Sequence, residues 1–298
     1  MSQNSPTKAQ RREANRAAAL ELKRKQEAQE KRARRLTALI ISGVVGVLVL
    51  ATAILLFANH RQQAQFATDP NLPLAEVVNT PTQATPDGGL RLNPTGIGGD
   101  FIEGVPTVGV YFDYLCSACQ VFEMVNEDAI RQMVDDGTAN VVLYPVAFIG
   151  EGSQRAAEAL AWVAEYSPEH ALDFHVGMLT AAMNIGADGL TLDMLADMAM
   201  TLGVPADVAA GIANRDAERA FAQWVVSATM SWGNNPDLIV IDAEGQPQLG
   251  TPTVTINGQV NTSDFRTPGN LELAVADVAA GGSGQIWSPS DEDDLADE

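Results

Sequence analysis

Apolar and polar positions follow different patterns in successive parts of this 298-residue chain. Leu36 to Ala58 (LTALIISGVVGVLVLATAILLFA) is a run of 23 residues without a charge. A bilayer core of about 30 Å takes about 20 apolar helical residues, so this run predicts a transmembrane helix. Between 59 and 100 the periodicity is lost. Pro70, Pro73, Pro81, Pro86 and Pro94, with Gly88, Gly89, Gly96, Gly98 and Gly99, interrupt any helix or central strand. That stretch predicts a linker, with AEVVN and GLRLNP as short edge strands. PTVGVYFDYL (Pro106 to Leu115) then concentrates Val, Tyr and Phe and predicts a buried strand. In the next segment Val121, Met124, Val125, Ile130, Met133 and Val134 recur at helical spacing, and Gly137 closes the helix. ANVVLYPVAF (Ala139 to Phe148) predicts a second strand.

From Ser153 to about Gly233 an Ala- and Met-rich pattern predicts about four helices separated by Gly or Pro. Their methionines and Trp224 and Trp232 read as core packing. DLIVIDAEG (Asp237 to Gly245) fits a strand or the end of the helical region. TPTVTINGQVN (Thr251 to Asn261) predicts two short strands around an Asn257-Gly258 turn. NLELAVADVAAGG (Asn270 to Gly282) predicts a last helix. The expected plan is therefore a cytoplasmic tail (1–35), a transmembrane helix (36–58), a linker (59–100), an α/β domain (101–282) and an acidic disordered tail (283–298). The helical insertion occupies about 153–233 of that domain.

The charge divides along the same boundaries. Residues 1–35 hold 11 Lys or Arg and 4 Glu, a net +7, whereas 59–298 hold 7 Arg and 34 acids, a net −27. Lys31 to Arg35 (KRARR) directly precede the apolar run and are expected to hold that side in the cytoplasm. The domain is then expected outside, on a single-pass anchor. A cleaved signal peptide fits less well, because its apolar region is about 7–15 residues long and its basic leader brief. The basic segment, beside the apolar run, reads as an orientation signal with attraction for anionic lipid rather than as a nucleic-acid-binding arm.

Cys116 and Cys119 are the only two cysteines. A disulfide spanning two residues closes too small a loop to restrain the unfolded chain, so the pair points to chemistry. Redox exchange, inert thiols and metal binding are the three readings. Structural zinc needs four ligands, and His60, His170 and His175 form no ligand pattern with the cysteines. Outside the cytoplasm a CxxC pair can shuttle between dithiol and disulfide. Cys116 sits where the strand passes into the helix, so the N–H groups and partial positive charge of the helix end favour its thiolate. Cys116 is then the attacking thiol and Cys119 the resolving one.

VGVYFDYLCSAC ahead of a helix, with GTPTVTINGQ ahead of the last helix, resembles the thioredoxin superfamily. The helical block between them resembles the DsbA-like branch, in particular membrane-anchored thiol–disulfide oxidoreductases of actinobacteria, over about Ile102 to Gly282. The resemblance implies a thioredoxin-like fold with a helical insertion, preceded here by the single transmembrane helix. It implies that Pro252 is a cis-proline facing the cysteines, where the residues alone would favour a trans proline opening an edge strand. Thr251 would then offer its backbone to an extended substrate. It also implies a redox disulfide in place of any cofactor or metal, exported proteins as substrates, and reoxidation by a membrane redox partner, quinone-linked in DsbA-type systems.

Two departures matter. Ser117 and Ala118 stand where strong oxidases of this type carry Pro and His, so the couple is expected to be less oxidising than the periplasmic oxidase at about −120 mV. Val110 stands where thioredoxin has a buried acid. Asp113 is the nearest acid: it would raise the Cys116 pKa if close, or relay protons to Cys119, or be a solvated acid at the strand end without a role. A disulfide reductase or isomerase of the same fold, and a non-catalytic peptide- or protein-binding module, are the competing functions.

Overall fold

The computed structural model describes residues 68–286, apart from 186–189 and 243. The basic tail, the expected transmembrane helix at 36–58, the first part of the expected linker and the acidic tail from 287 lie outside the described residues. No described helix is long and apolar enough to cross a membrane.

A six-stranded sheet organises the domain. Its strands are β1 (Leu90–Asn93), β2 (Gly96–Ile97), β3 (Thr107–Phe112), β4 (Asn140–Pro145), β7 (Thr253–Ile256) and β8 (Gln259–Val260), in the order β2-β1-β4-β3-β7-β8. β3 and β4 are parallel, with Val110 opposite Leu143, and the remaining pairs are antiparallel. Parallel neighbours need a crossover, and helix α1 (Ser117–Asp136) supplies it. Gly137, in the left-handed conformation at φ 63°, ends that helix and bonds back to Met133 and Val134. Val108, Val110 and Phe112 are at most 2 % exposed. They lie on the sheet face that shares its core with Phe122, Ile130 and Met133 of α1. Burying each such side chain stabilises the fold by about 1.5–3 kcal/mol.

The Asn257-Gly258 turn joins β7 to β8 with both residues at positive φ, 51° and 80°, the geometry expected for a two-residue hairpin. Asp237 to Gly245, ambiguous in sequence, splits into a 3-10 turn (Pro236–Leu238) and strand β5 (Val240–Ile241), which pairs with β6 (Pro247–Gln248) in a separate two-stranded sheet.

Between β4 and β5 lie five helices, one more than the four named from sequence: α2 (Glu151–Tyr166), α3 (Ala171–Ile185), α4 (Leu192–Thr201), α5 (Ala206–Ala213) and α6 (Asp216–Gly233). Gly203, at φ 90°, and Pro205 separate α4 from α5. Alanines carry the close packing: Ala156, Ala157, Ala159 and Ala161 of α2 have no exposed surface. Gly211 of α5 lies under the Trp162 ring, where a Cβ would come 2.5 Å from a ring carbon. After β8, α7 (Asn270–Ala279) closes the domain.

Two expected boundaries are corrected. Residues 68–100 are not a free linker, since β1 joins the sheet beside β4 and Leu90 and Leu92 are 0 % and 2 % exposed. The prolines and glycines there mark turns between short segments, and Ser227 and Glu165 of the helical block bond to the backbone at Leu72 and Thr82. At the other end the domain runs past 282: Asn261 donates to the Gly284 carbonyl at 2.6 Å, and Ile286 packs on the core.

Candidate active site

β3 ends at Phe112 and α1 begins at Ser117, so the four residues between them set the position of the cysteines. Asp113 fixes this turn. It has no exposed surface, and its carboxylate accepts from Leu115 N at 2.8 Å, Phe148 N at 3.0 Å, Ile149 N at 3.2 Å and Ser153 Oγ at 2.5 Å. Its carbonyl accepts from Cys116 N at 3.0 Å. Asp113 is not among the groups that shift Cys116. All four contacts of its carboxylate are donors, so it acts as a staple between the CxxC turn, the segment after β4 and α2.

Cys116 is the N-cap of α1, with extended backbone (φ −78°, ψ 113°). It is half-buried, Cys119 is buried, and both are free thiols. Ser117 and Ala118, between them, are exposed. The Cys116 thiol is lowered to about 6, first by the hydrogen bond from the Cys119 thiol, then by the Thr251 side chain and the Cys119 and Ala118 backbone N–H groups, against the opposing effect of burial. Cys119 is pushed strongly upward, first by burial and then by Cys116. At neutral pH the pair therefore holds one half-buried thiolate and one buried thiol, as nucleophile and resolving group require.

The loop before β7 completes the site. The Thr251–Pro252 peptide bond is cis. The Cys116 thiol donates to the Thr251 carbonyl at 3.0 Å. The buried Thr251 hydroxyl makes no other hydrogen bond, so its proton serves the Cys116 thiolate. Beside this contact lies a groove of about 420 Å³, whose apolar walls include Ala118, Phe122, Pro252, Val254, Val260 and Phe265. The structure thus brings Cys116, Cys119, Ala118, Thr251 and Pro252 together, while Asp113 supports them from below.

Sequence reasoning missed a buried polar chain beneath α1. The Tyr114 hydroxyl and His175 Nδ1 are 3.0 Å apart, and His175 Nε2 is 3.4 Å from Glu123 Oε2. None of the three is more than 4 % exposed, and the other Glu123 oxygen has no partner. The available signal was Glu123 four residues after Cys119, one helical turn further along the same face. No group of metal-ligating side chains is present among the described residues.

No family model and no curated protein matches the chain. Solved structures do. The thiol-disulfide oxidoreductase MdbA from Actinomyces oris superposes with a TM-score of 0.53 at 19 % identity, over 76 % of this chain and 100 % of that one. MdbA from Corynebacterium diphtheriae gives 0.52 at 18 %, over 65 % and 93 %. The reduced disulfide oxidoreductase DsbG from Mycobacterium tuberculosis gives 0.51 at 22 %, over 72 % and 95 %. The described residues thus take the thioredoxin-like α/β fold with a helical insertion that DsbA-like thiol–disulfide oxidoreductases share.

Proposed function

We propose that this protein is an extracytoplasmic thiol–disulfide oxidoreductase that forms disulfides in exported proteins. The observation that carries the reading is the asymmetry of the two thiols: Cys116 lowered to about 6 at a helix N-terminus, beside a buried Cys119 raised above its usual value. The oxidised enzyme carries a Cys116–Cys119 disulfide. A substrate thiolate attacks Cys116 Sγ, forming a mixed disulfide and releasing Cys119, which takes up a proton. A second substrate thiolate then attacks the substrate sulfur, forming the substrate disulfide and expelling Cys116 as thiolate. A leaving thiol of low pKa departs faster, and a stabilised thiolate makes the disulfide more oxidising.

The Thr251 carbonyl and the apolar groove beside it suit an extended, unfolded segment, with the backbone along the cis-proline loop and an apolar side chain in the groove. The uncharged run Leu36–Ala58 would anchor the enzyme near chains leaving the translocon and near a membrane partner that reoxidises it.

The deciding measurement is the reduction potential of the full-length protein in nonionic detergent, equilibrated with glutathione buffers, with the state of Cys116 and Cys119 read by mass. Thioredoxin, with a thiol near pKa ~7, lies at about −270 mV, and DsbA, near ~3.5, at about −120 mV. A thiol near 6 should give a value between them, and one well above about −180 mV supports an oxidase. A value near about −270 mV would reverse the electron flow and make the protein a reductase. Failure to form a reversible disulfide would leave a binding module.

A further inference from the structure

The second face of the sheet, away from α1, holds a cavity that the redox chemistry does not use. It measures about 660 Å³ and is bounded by Thr107, Gly109 and Tyr111 of β3, Tyr144 of β4, the 85–87 turn, Phe101, the 3-10 turn with Asp237, and the β7–β8 hairpin. Its wall is aromatic. Tyr111 and Tyr144 are register partners on the parallel strands, and their rings stack at 4.2 Å and 13°. Phe101, 46 % exposed, is a third ring. Its rim is anionic. Asp87 accepts from the Tyr144 hydroxyl at 2.8 Å and from Thr85 Oγ1 at 2.5 Å. Asp237, on an exposed turn, also lines the cavity.

Among the described residues no Lys or Arg lines the cavity. The nearby Arg91 is buried, bonded to the Gly98 carbonyl at 2.7 Å, and occupies one side of Phe101 with its guanidinium carbon 5.4 Å from the ring centroid. Aromatic faces attract cations through the ring quadrupole, and carboxylates at the rim add charge and acceptors for N–H donors. The surplus of acids over 59–298 raises the local concentration of cations further. Tyr111 is raised to about 12, by burial first and by Asp87 second, so both its ring and its hydroxyl stay neutral at working pH.

We propose that this cavity binds an organic cation with N–H donors, a guanidinium or primary ammonium group, held between the tyrosine pair, Asp87 and Asp237. Such a group can come from a free small amine or from an arginine or lysine side chain of a partner protein. The site is separate from the cysteines, so the proposal goes beyond the oxidoreductase reading.

The test is isothermal titration of the full-length protein in nonionic detergent at low salt, with agmatine in one arm and a short glycine peptide carrying a single arginine in the other. Saturable binding is expected in at least one arm, weakened about tenfold in D87N/D237N and about fivefold in Tyr111→Leu. Binding of agmatine alone identifies a small-molecule site, and tighter binding of the peptide a side-chain site; both support the proposal. Absence of saturable binding in both arms, or binding unchanged in the charge variants, overturns it. Asp237→Asn alone keeps the test readable if the double variant loses its fold, because the Asp237 carboxylate makes no hydrogen bond among the described residues.

Discussion

Cys116 Sγ lies 3.0 Å from the carbonyl oxygen of Thr251, across 135 residues of sequence. The strand–helix junction supplies the sulfur and the loop before β7 supplies the carbonyl, and β3 pairs with β7 in the sheet to hold the two together. This contact puts the most reactive atom of the chain beside the backbone on which an extended substrate would lie. The helical insertion separates the two motifs in sequence without separating them in space.

The Cys119 thiol is the largest contributor to the lowered Cys116 value. Cys119→Ala should therefore raise the Cys116 pKa from about 6 toward the ordinary ~8.5. The rate of Cys116 alkylation against pH reads this directly. The expected change is a midpoint shift of about one unit or more, together with loss of substrate oxidation, because the Cys116–Cys119 disulfide cannot form. An unchanged midpoint would assign the effect to the Thr251 hydroxyl and the helix N-terminus.

Asp113 separates support from proton relay. Its carboxylate accepts from three backbone N–H groups and one hydroxyl. Asp113→Ala leaves several buried donors unpaired, at about 1–3 kcal/mol each before relaxation. A fall in melting temperature with the Cys116 alkylation profile of the surviving fold unmoved is the expected result. A profile that moves while stability holds would make Asp113 an electrostatic perturber of Cys116.

How much of this was legible in the sequence depended on how local each cause was. The strand before Cys116, the helix after it, the Gly137 cap and the Asn257-Gly258 hairpin all follow from nearby residues. GLRLNP reads as an edge strand, but its place inside the sheet was not legible, because its partner β4 lies about fifty residues away. Asp113 was picked out for its closeness to the cysteines, yet its partners come from the segment after β4 and from α2. The Tyr111–Tyr144 stack depends on the β3–β4 register, which no single segment encodes.

The Tyr114–His175–Glu123 chain joins the CxxC turn, α3 and α1 in the core. Removing one member strands the others away from water. Leaving a buried polar group without its partner costs about 1–3 kcal/mol. His175→Ala should lower stability by an amount of that order, read by thermal melting. A loss below about 1 kcal/mol would mean that water replaces the imidazole.

Glu158 of α2 makes stability depend on pH. It is 2 % exposed, and burial, with Glu218 adding repulsion, raises its carboxyl to about 8 against the opposing Gln154 hydrogen bond and the Arg215 and Arg155 charges. Because the folded value is raised, the neutral carboxyl's contribution is fully present below the unfolded value near ~4.3 and is lost progressively as pH rises toward 8. Above 8 the folded group ionises too, and the dependence levels off. Glu158→Gln cannot ionise, so it should stabilise the protein by on the order of 2 kcal/mol near neutral pH and leave it unchanged at pH ~4. Melting curves of the two proteins at both pH values decide it. Equal differences at the two pH values would show that Glu158 stays ionised in the fold, held by Arg215 and Arg155.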